Sequence, residues 1–317
     1  MSLRVIHSID EFVAESKTGS SVTVGTFDGI HLGHQEILRR VLVKTDKDAL
    51  DPVMVTFHPH PRQVVTPDKA PSLLTTIPEK KKVVHGFFRG TVLVLEFNNE
   101  LKDMSAQQFV HRILLDKLQM KELVVGYDHA FGRDRGGTIV ELKRLGEIND
   151  FGVEVVGPVM MGNEGVSSSR IRRCLRENSF QEALALLGHP FLIHGVVERG
   201  IGLGRKLGYP TANVAYESHK MLPSEGVYAC RVEIGERKHS GMMFIGRNYF
   251  NPEERVTVEA NLFDFDEDIY GQEITVIPTR FVRANQRFDS KQALVAQIGE
   301  DKKQIERIIQ QEMRNVS

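Results

Sequence analysis

His31 and His34 flank Gly33 at the end of the stretch Val22-Thr-Val-Gly25-Thr-Phe27-Asp28-Gly29-Ile-His31-Leu-Gly33-His34. Imidazoles can donate hydrogen bonds to phosphate oxygens and stabilise charge that develops there without acting as nucleophiles. Gly33 lets a bulky ligand approach the backbone. Val22 and Val24 read as the end of a strand, Gly25 as its break, and Asp28 with Gly29 as a turn. Ile37, Leu38, Val41 and Leu42 share one face of a helix predicted over residues 35–44. Strand, glycine turn and helix N-terminus in succession suit an anion, above all a phosphate, because unpaired N–H groups and the positive end of the helix dipole converge there. A βα turn with two surface histidines is the plainer alternative. The preceding Gly25-Thr-Phe27-Asp28-Gly29 weighs against it. The stretch matches neither G-x-x-x-x-G-K-[ST] nor G-x-G-x-x-G, so it is neither a P-loop nor a dinucleotide fingerprint.

Other stretches carry chemistry of their own. Two prolines hold Phe57-His58-Pro59-His60-Pro61 extended. It reads as a rigid pocket wall. Metal ligation by His58 and His60 is the weaker alternative, since no third ligand stands nearby. Residues 125–137 form a charged, glycine-rich loop in which Asp128 can meet a ribose or a flavin ring and Arg135 a phosphate, although a solvated surface loop would look the same. In Val166-Ser167-Ser168-Ser169-Arg170-Ile171-Arg172, serine hydroxyls and backbone N–H groups make an anion nest. Arg172 follows one turn in, where a guanidinium can clamp a triphosphate. Capping alone explains one serine, not three serines with two arginines.

Gly200, Gly202, Gly204 and Gly208 fall within nine residues, so their N–H groups can wrap a phosphate. Arg205 and Lys206 add charge. Thr211 and Asn213 offer oxygens to Mg2+, a hard cation that prefers them. A flexible loop is the alternative. Further on, Val256, Val258, Ala260 and Leu262 share one face of a strand and Thr257, Glu259 and Asn261 the other, where Glu259 either faces solvent or serves a site.

Alternating elements must position the first group. Apolar runs predict strands at residues 53–57, 91–97, 122–126 and 153–159. Helical spacing predicts helices at 77–87, after an N-cap at Ser105 with Phe109, Val110, Ile113 and Leu114 inward, and at 140–148. Such alternation implies a parallel sheet with helices on both faces, with ligands at the carboxyl ends of the strands. A helix at 180–187 ends at Gly188-His189-Pro190, where the texture changes. Strands then follow one another at 191–197, 227–234, 239–245, 256–263 and 273–281, implying an antiparallel sheet or small barrel, and a long amphipathic helix covers 290–312. The fold class is therefore α/β followed by an antiparallel sheet or small barrel, with domains at residues 1–187 and 188–317.

Composition agrees with two globular domains: 317 residues, 41% hydrophobic and 26% charged. A net charge of −1 and zero Trp give no basic-aromatic surface for nucleic acid. Cys174 and Cys230 form no CxxC pair and read as reduced thiols of a cytoplasmic protein. Asp10 and Glu11 interrupt any apolar leader, and no run of 18 apolar residues would span a membrane.

The histidine stretch resembles the signature of nucleotidyltransferases that move an adenylyl or cytidylyl group. Taken with the Phe-His-Pro-His-Pro loop, Val125-Gly126-Tyr127-Asp128-His129-Ala130-Phe131-Gly132, the serine-arginine helix start, the glycine-rich Pro210-Thr211-Ala212-Asn213 segment and Val258-Glu259-Ala260, the chain resembles, over nearly its whole length, the bacterial bifunctional riboflavin kinase/FMN adenylyltransferase family. The resemblance implies a Rossmann-like domain that adenylylates FMN with ATP to give FAD and pyrophosphate. It also implies a barrel domain that phosphorylates riboflavin with ATP, both reactions using Mg2+. ATP is then expected at Gly25, Phe27, Asp28, Gly33, Ser167, Ser168 and Ser169 in the first domain, with His31, His34 and Arg172 at the transferring phosphate. In the second it is expected at Gly202, Gly204, Arg205, Lys206, Gly208 and Thr211. Flavin is expected at His58, Pro59, Asp128, Phe131, Arg135 and Asn261, and the metal at Thr211 and Asn213. Glu259 is expected to take the proton from the riboflavin 5′-hydroxyl as that oxygen attacks the γ-phosphate. Small molecules are the expected partners, without nucleic acid or membrane.

Two departures stand out. The family usually carries Arg-Pro-Thr-Phe where this chain has Arg247-Asn248-Tyr249-Phe250-Asn251-Pro252, and often His where it has Asn261. An FMN adenylyltransferase with an impaired kinase half is the nearest rival reading. A flavin- or nucleotide-sensing module is a second, against which the retained Glu259 argues, because binding alone needs no base. An RNA-binding barrel is a third, and the charge balance speaks against it.

Overall fold

The computed structural model describes residues 2–129, 131–132, 136–200, 202–247 and 256–314. The chain divides into two compact units, Met1–Leu73 with Lys80–Ser168, and Leu74–Glu79 with Ser169–Ser317.

The first unit is built on six strands: β1 (Leu3–Ile6), β2 (Ser20–Val24), β3 (Asp51–His58), β4 (Gly90–Glu96), β5 (Met120–Gly126) and β6 (Gly152–Val156). They form one sheet in the order β1-β4-β3-β2-β5-β6, with all neighbours parallel. The expected α/β architecture is thus present. The chain leaves β2 for β3 on one side, and β5 joins on the other. The carboxyl end of β2 is therefore a topological switch point, where such sheets open a crevice for ligands. Buried Val22, Val24, Val53, Val55, Leu93, Leu123 and Val125 line the core beside Phe109, Leu114 and Leu142 from the helices.

Helix ends follow local chemistry. The first long helix, Leu32–Asp48, begins three residues before the predicted start at 35, because His31 caps it and the apolar spacing does not report a cap. Ser105 caps Ala106–Phe109 with Gln108 completing the capping box, and the chain continues in wider π-type turns over Val110–Leu115. Strand 153–159 was expected as one piece. It ends at Val156, and a short hairpin follows, β7 (Met160–Met161) with β8 (Glu164–Gly165).

The second unit contains a closed barrel of β9 (Ile193–Glu198), β10 (Ala212–Tyr216), β11 (Gly226–Ile234), β12 (Arg237–Gly246), β13 (Thr257–Leu262) and β14 (Glu273–Ala284), all antiparallel. The helix Lys291–Arg314 packs Ile305 and Ile308 onto Val227, Ala229 and Met242. Arg283 on β14 ties it down by bonding both carboxylate oxygens of buried Asp301, at 2.7 to 3.0 Å. The sequence reading passed over β10, which follows directly on the glycine-rich segment and reads as its tail.

Glu79 belongs to this second unit by packing, although it lies far from the rest of it in sequence. Its carboxylate is fully buried and meets the Lys220 ammonium at 2.7 Å. It also accepts hydrogen bonds from the Thr76 and His194 N–H groups, while Lys220 donates to the Leu74 carbonyl and lies 4.2 Å from the Phe191 ring centre. Removing one partner of a buried pair leaves a charge without compensation, at a cost of about 3–5 kcal/mol. Lys220→Met should therefore lower stability to urea by about that amount in the full chain. In a fragment beginning at residue 190, which lacks Glu79, the same substitution should raise stability. Equal effects of Lys220→Met in the two contexts would contradict this account.

Candidate active sites

In the first unit the site grows from the turn that ends β2. Phe27 and Ile30 have φ of 45° and 42°, the left-handed region that costs a bulky residue about 1–2 kcal/mol. Both side chains are buried, and the strain is held by bonds from several elements. Gly25 N–H donates to Val55 O at 3.0 Å. Ser168 Oγ donates to Asp28 O at 2.8 Å and Gln35 Nε2 to Ile30 O at 2.8 Å. Lys80 Nζ donates to Thr26 O at 2.6 Å and to Thr56 Oγ1 at 2.9 Å, while Thr56 Oγ1 donates to Thr26 O at 3.1 Å.

The two histidines differ in role. His31 is the N-cap of the Leu32–Asp48 helix, and its Nδ1 accepts from His34 N–H at 3.4 Å. The proton of the neutral ring then sits on Nε2. The rings of His31 and His34 stack 3.6 Å apart at 18°, and Phe27 meets His34 edge-on. A Cβ on Gly33 would press to 3.2 Å from the His31 ring, so glycine here lets the imidazole lie across the helix start. Burial, then the neighbouring His31 and Lys80, hold the His34 pKa well below the usual imidazole range. His34 is therefore neutral near pH 7. It can polarise a phosphate oxygen by hydrogen bonding but brings no formal charge. The buried cation beneath the turn is Lys80, which the sequence reading missed.

Ser167 and Ser168 open the helix Ser168–Arg176; Ser169 and Arg172 lie on it in the segment that packs with the second unit. His58 ends β3 and is exposed, and the His58–Pro59 peptide is cis. Asp128 is exposed. Phe131 is half-buried and packs edge-on against Phe109 at 5.2 Å between ring centres. Arg135 lies outside the described residues.

In the second unit the site is written into strand register. On adjacent strands Asn213 of β10 stands opposite Glu259 of β13, and Ala212 opposite Ala260. Thr211 Oγ1 donates to Glu259 Oε2 at 3.0 Å. Burial raises the Glu259 pKa, and the Thr211 hydrogen bond partly offsets that rise. Asn261 is buried and donates to Pro210 O at 2.7 Å, fixing the backbone just before Thr211. A Cβ on Gly200 would collide with the Asn213 carboxamide, so glycine opens the space in which that side chain lies. Gly202 and Gly208, with φ of 68° and 84°, bracket a turn of helix at Leu203–Leu207 where a plain loop was expected. Arg205 and Lys206 are exposed on it. Of the departing segment only Arg247 is described; residues 248–252 lie outside the described residues.

Among the described residues no cluster of three His, Cys, Asp or Glu side chains could hold a metal ion. Thr211 and Asn213 do fit a cation that takes few protein oxygens and completes its shell with phosphate and water.

Residues 13–170 match the FAD synthetase family, and residues 187–309 match the riboflavin kinase family. The bifunctional riboflavin kinase/FMN adenylyltransferase of Buchnera aphidicola subsp. Schizaphis graminum is 35% identical over 303 residues, covering 94% of this chain and 96% of that protein. The chain belongs to the bifunctional riboflavin kinase/FMN adenylyltransferase family. The Escherichia coli K12 relative is 34% identical over 94% of this chain and 95% of its own length. The Bacillus subtilis relative is 31% identical, covering 92% and 93%. A solved structure described as a macrolide-efflux protein from Streptococcus pneumoniae superposes with a TM-score of 0.81 at 32% identity, covering 96% of this chain and 98% of that one. No helix of the described residues is long and apolar enough to cross a membrane.

Within this family the first unit supplies the FAD-forming step. His34→Ala should lower FAD formation from FMN by roughly 10²-fold, as loss of one preorganised donor does. FMN formation from riboflavin by the same variant should persist. A parallel fall in both rates would overturn the assignment of the histidines to one step.

Proposed function

We propose that the two halves of this enzyme run consecutive steps, riboflavin phosphorylation in residues 188–317 and FMN adenylylation in residues 1–187. The observation that carries the kinase reading is the hydrogen bond from Thr211 to Glu259 with Asn213 on the facing register position. It brings a carboxylate with a raised pKa together with two hard oxygen donors. A carboxylate poised upward is a better base near neutral pH.

In the kinase step Glu259 takes the proton of the riboflavin 5′-hydroxyl. That oxygen forms a bond to the γ-phosphorus, the bond from that phosphorus to the β-bridging oxygen breaks, and ADP leaves. Thr211 holds Glu259 in place, and Asn261 holds the Thr211 backbone. Mg2+, when bound through Thr211 and Asn213, would neutralise phosphate charge. In the adenylyl step an FMN phosphate oxygen attacks the α-phosphorus and pyrophosphate leaves, with no covalent bond to protein. His31 and His34 orient and polarise the phosphate, and the turn from Gly25 to Ile30 with Gly33 and Ser168 cradles the chain of phosphates. Ser167, Ser169 and Arg172 are assigned to the triphosphate, and His58, Pro59, Asp128, Phe131 and Arg135 to the flavin, on the sequence resemblance. Both steps act on small molecules, and two buried free thiols support a cytoplasmic setting.

Glu259→Gln keeps the shape and removes the base. FMN formation should fall by about 10²- to 10⁴-fold. The fall should appear in kcat more than in KM, with conversion of FMN to FAD untouched. Chromatography of products from riboflavin, ATP and Mg2+ checks both. Phosphorylation at the parent rate would make Glu259 an ordinary strand residue.

A further inference from the structure

Lys80 is 5% exposed and contributes no surface charge, unlike the exposed Lys81 and Lys82 beside it. It sits on the Ile77–Val84 helix, and its ammonium binds two neutral oxygens, the Thr26 carbonyl and the Thr56 hydroxyl. Thr26 lies between Gly25 and strained Phe27, so this contact anchors the turn that leads into His31 and His34. Asp28 in the turn opposes the charge through space, and His34 on the following helix feels it. A neutral donor would satisfy the same two oxygens without the cost of burying an ion. Asp28 offsets part of that cost, and a nucleotide phosphate chain arriving beside the ammonium would offset more.

We propose that Lys80 is a positioning residue for adenylyl transfer: it clamps the Thr26 carbonyl beneath the phosphate turn and holds a positive charge there that favours the ATP-bound state. This rests on the adenylyl site assigned above to His31 and His34. Burial lowers the Lys80 pKa to about 8, with Asp28 acting the other way. The clamp is therefore charged at pH 7 and mostly uncharged at pH 9. His34, the other titratable group facing it besides Asp28, is already neutral throughout that range.

The test uses the full chain, with FMN and ATP to read adenylylation and riboflavin and ATP to read phosphorylation. In the parent, kcat/KM for ATP in adenylylation should fall above pH about 8, and the kinase step should lack that limb. Lys80→Met should lower adenylylation kcat/KM by about 10²-fold at pH 7, as misplacement of a catalytic frame does. It should flatten the profile from pH 7 to 9 and leave phosphorylation within about twofold. Thr56→Val should lower adenylylation less and keep the limb. Parent-level adenylylation in Lys80→Met overturns the proposal. So does a lowered rate with the alkaline limb intact, which marks a purely structural lysine. If Lys80→Met fails to fold, absence of the limb in the parent overturns it without any variant. His34→Ala run alongside separates the failures: a loss there with none in Lys80→Met rejects Lys80 alone, and no loss in either rejects the site as well.

Discussion

Three alternate carbonyls in one turn govern the first unit. Thr26, Asp28 and Ile30 each have their oxygen held by a side chain from elsewhere: Lys80 with Thr56, Ser168, and Gln35. Left-handed conformations at Phe27 and Ile30 persist only where surroundings over-determine them. With the carbonyls tied back, the turn delivers the chain into the Leu32–Asp48 helix at a fixed angle. His31 then caps that helix and stacks on His34. The N-terminus of the helix, the imidazoles and the strained turn are one mechanical object, set at the switch point of the sheet.

The second unit reaches the same end by a different route. Among the described residues its site holds no non-glycine residue in the left-handed region. Glu259, Asn261 and Asn213 lie on two paired barrel strands, and their mutual placement follows from the period of two along each strand. Antiparallel pairing fixes which residues face one another, and closure of the barrel leaves no edge to slip. Glu259 is partly buried because β13 lies within a closed wall, and that burial raises its proton affinity.

Much of this was legible in the sequence, and the exceptions are instructive. Alternating apolar runs marked the parallel sheet, and Gly33 with two histidines marked the turn from β2 into its helix, since both signals are local. Phe180–Leu187 emerged with the boundaries its spacing predicts, ended by Gly188 in the left-handed region. Lys80 did not emerge, because it stands first of three consecutive lysines, the other two of which are exposed. Its spacing held the clue: Ile77, Lys80 and Val84 fall on one helical face, and a cation among apolar residues is an anomaly. Asn261 is expected at the flavin on the family resemblance; its bond to the Pro210 carbonyl, 51 residues away, is something no local pattern reports. The depressed affinity of His34 for protons is only partly local, arising from burial, from His31 three residues before it and from Lys80.

The Glu79–Lys220 pair links residues 141 positions apart in the chain. On a ribosome adding about 5–20 residues per second, Glu79 emerges roughly 7–28 s before its partner. Lys80, the very next residue, has all its bonding partners already made. Lys80 can make its bonds at once, while Glu79 waits for Lys220. The order of synthesis thus gives this chain a vectorial assembly: the Lys80 clamp on the Thr26 carbonyl can form early, the Ser168 bond to Asp28 follows, and the second unit can close its interior only after Lys220 has been translated.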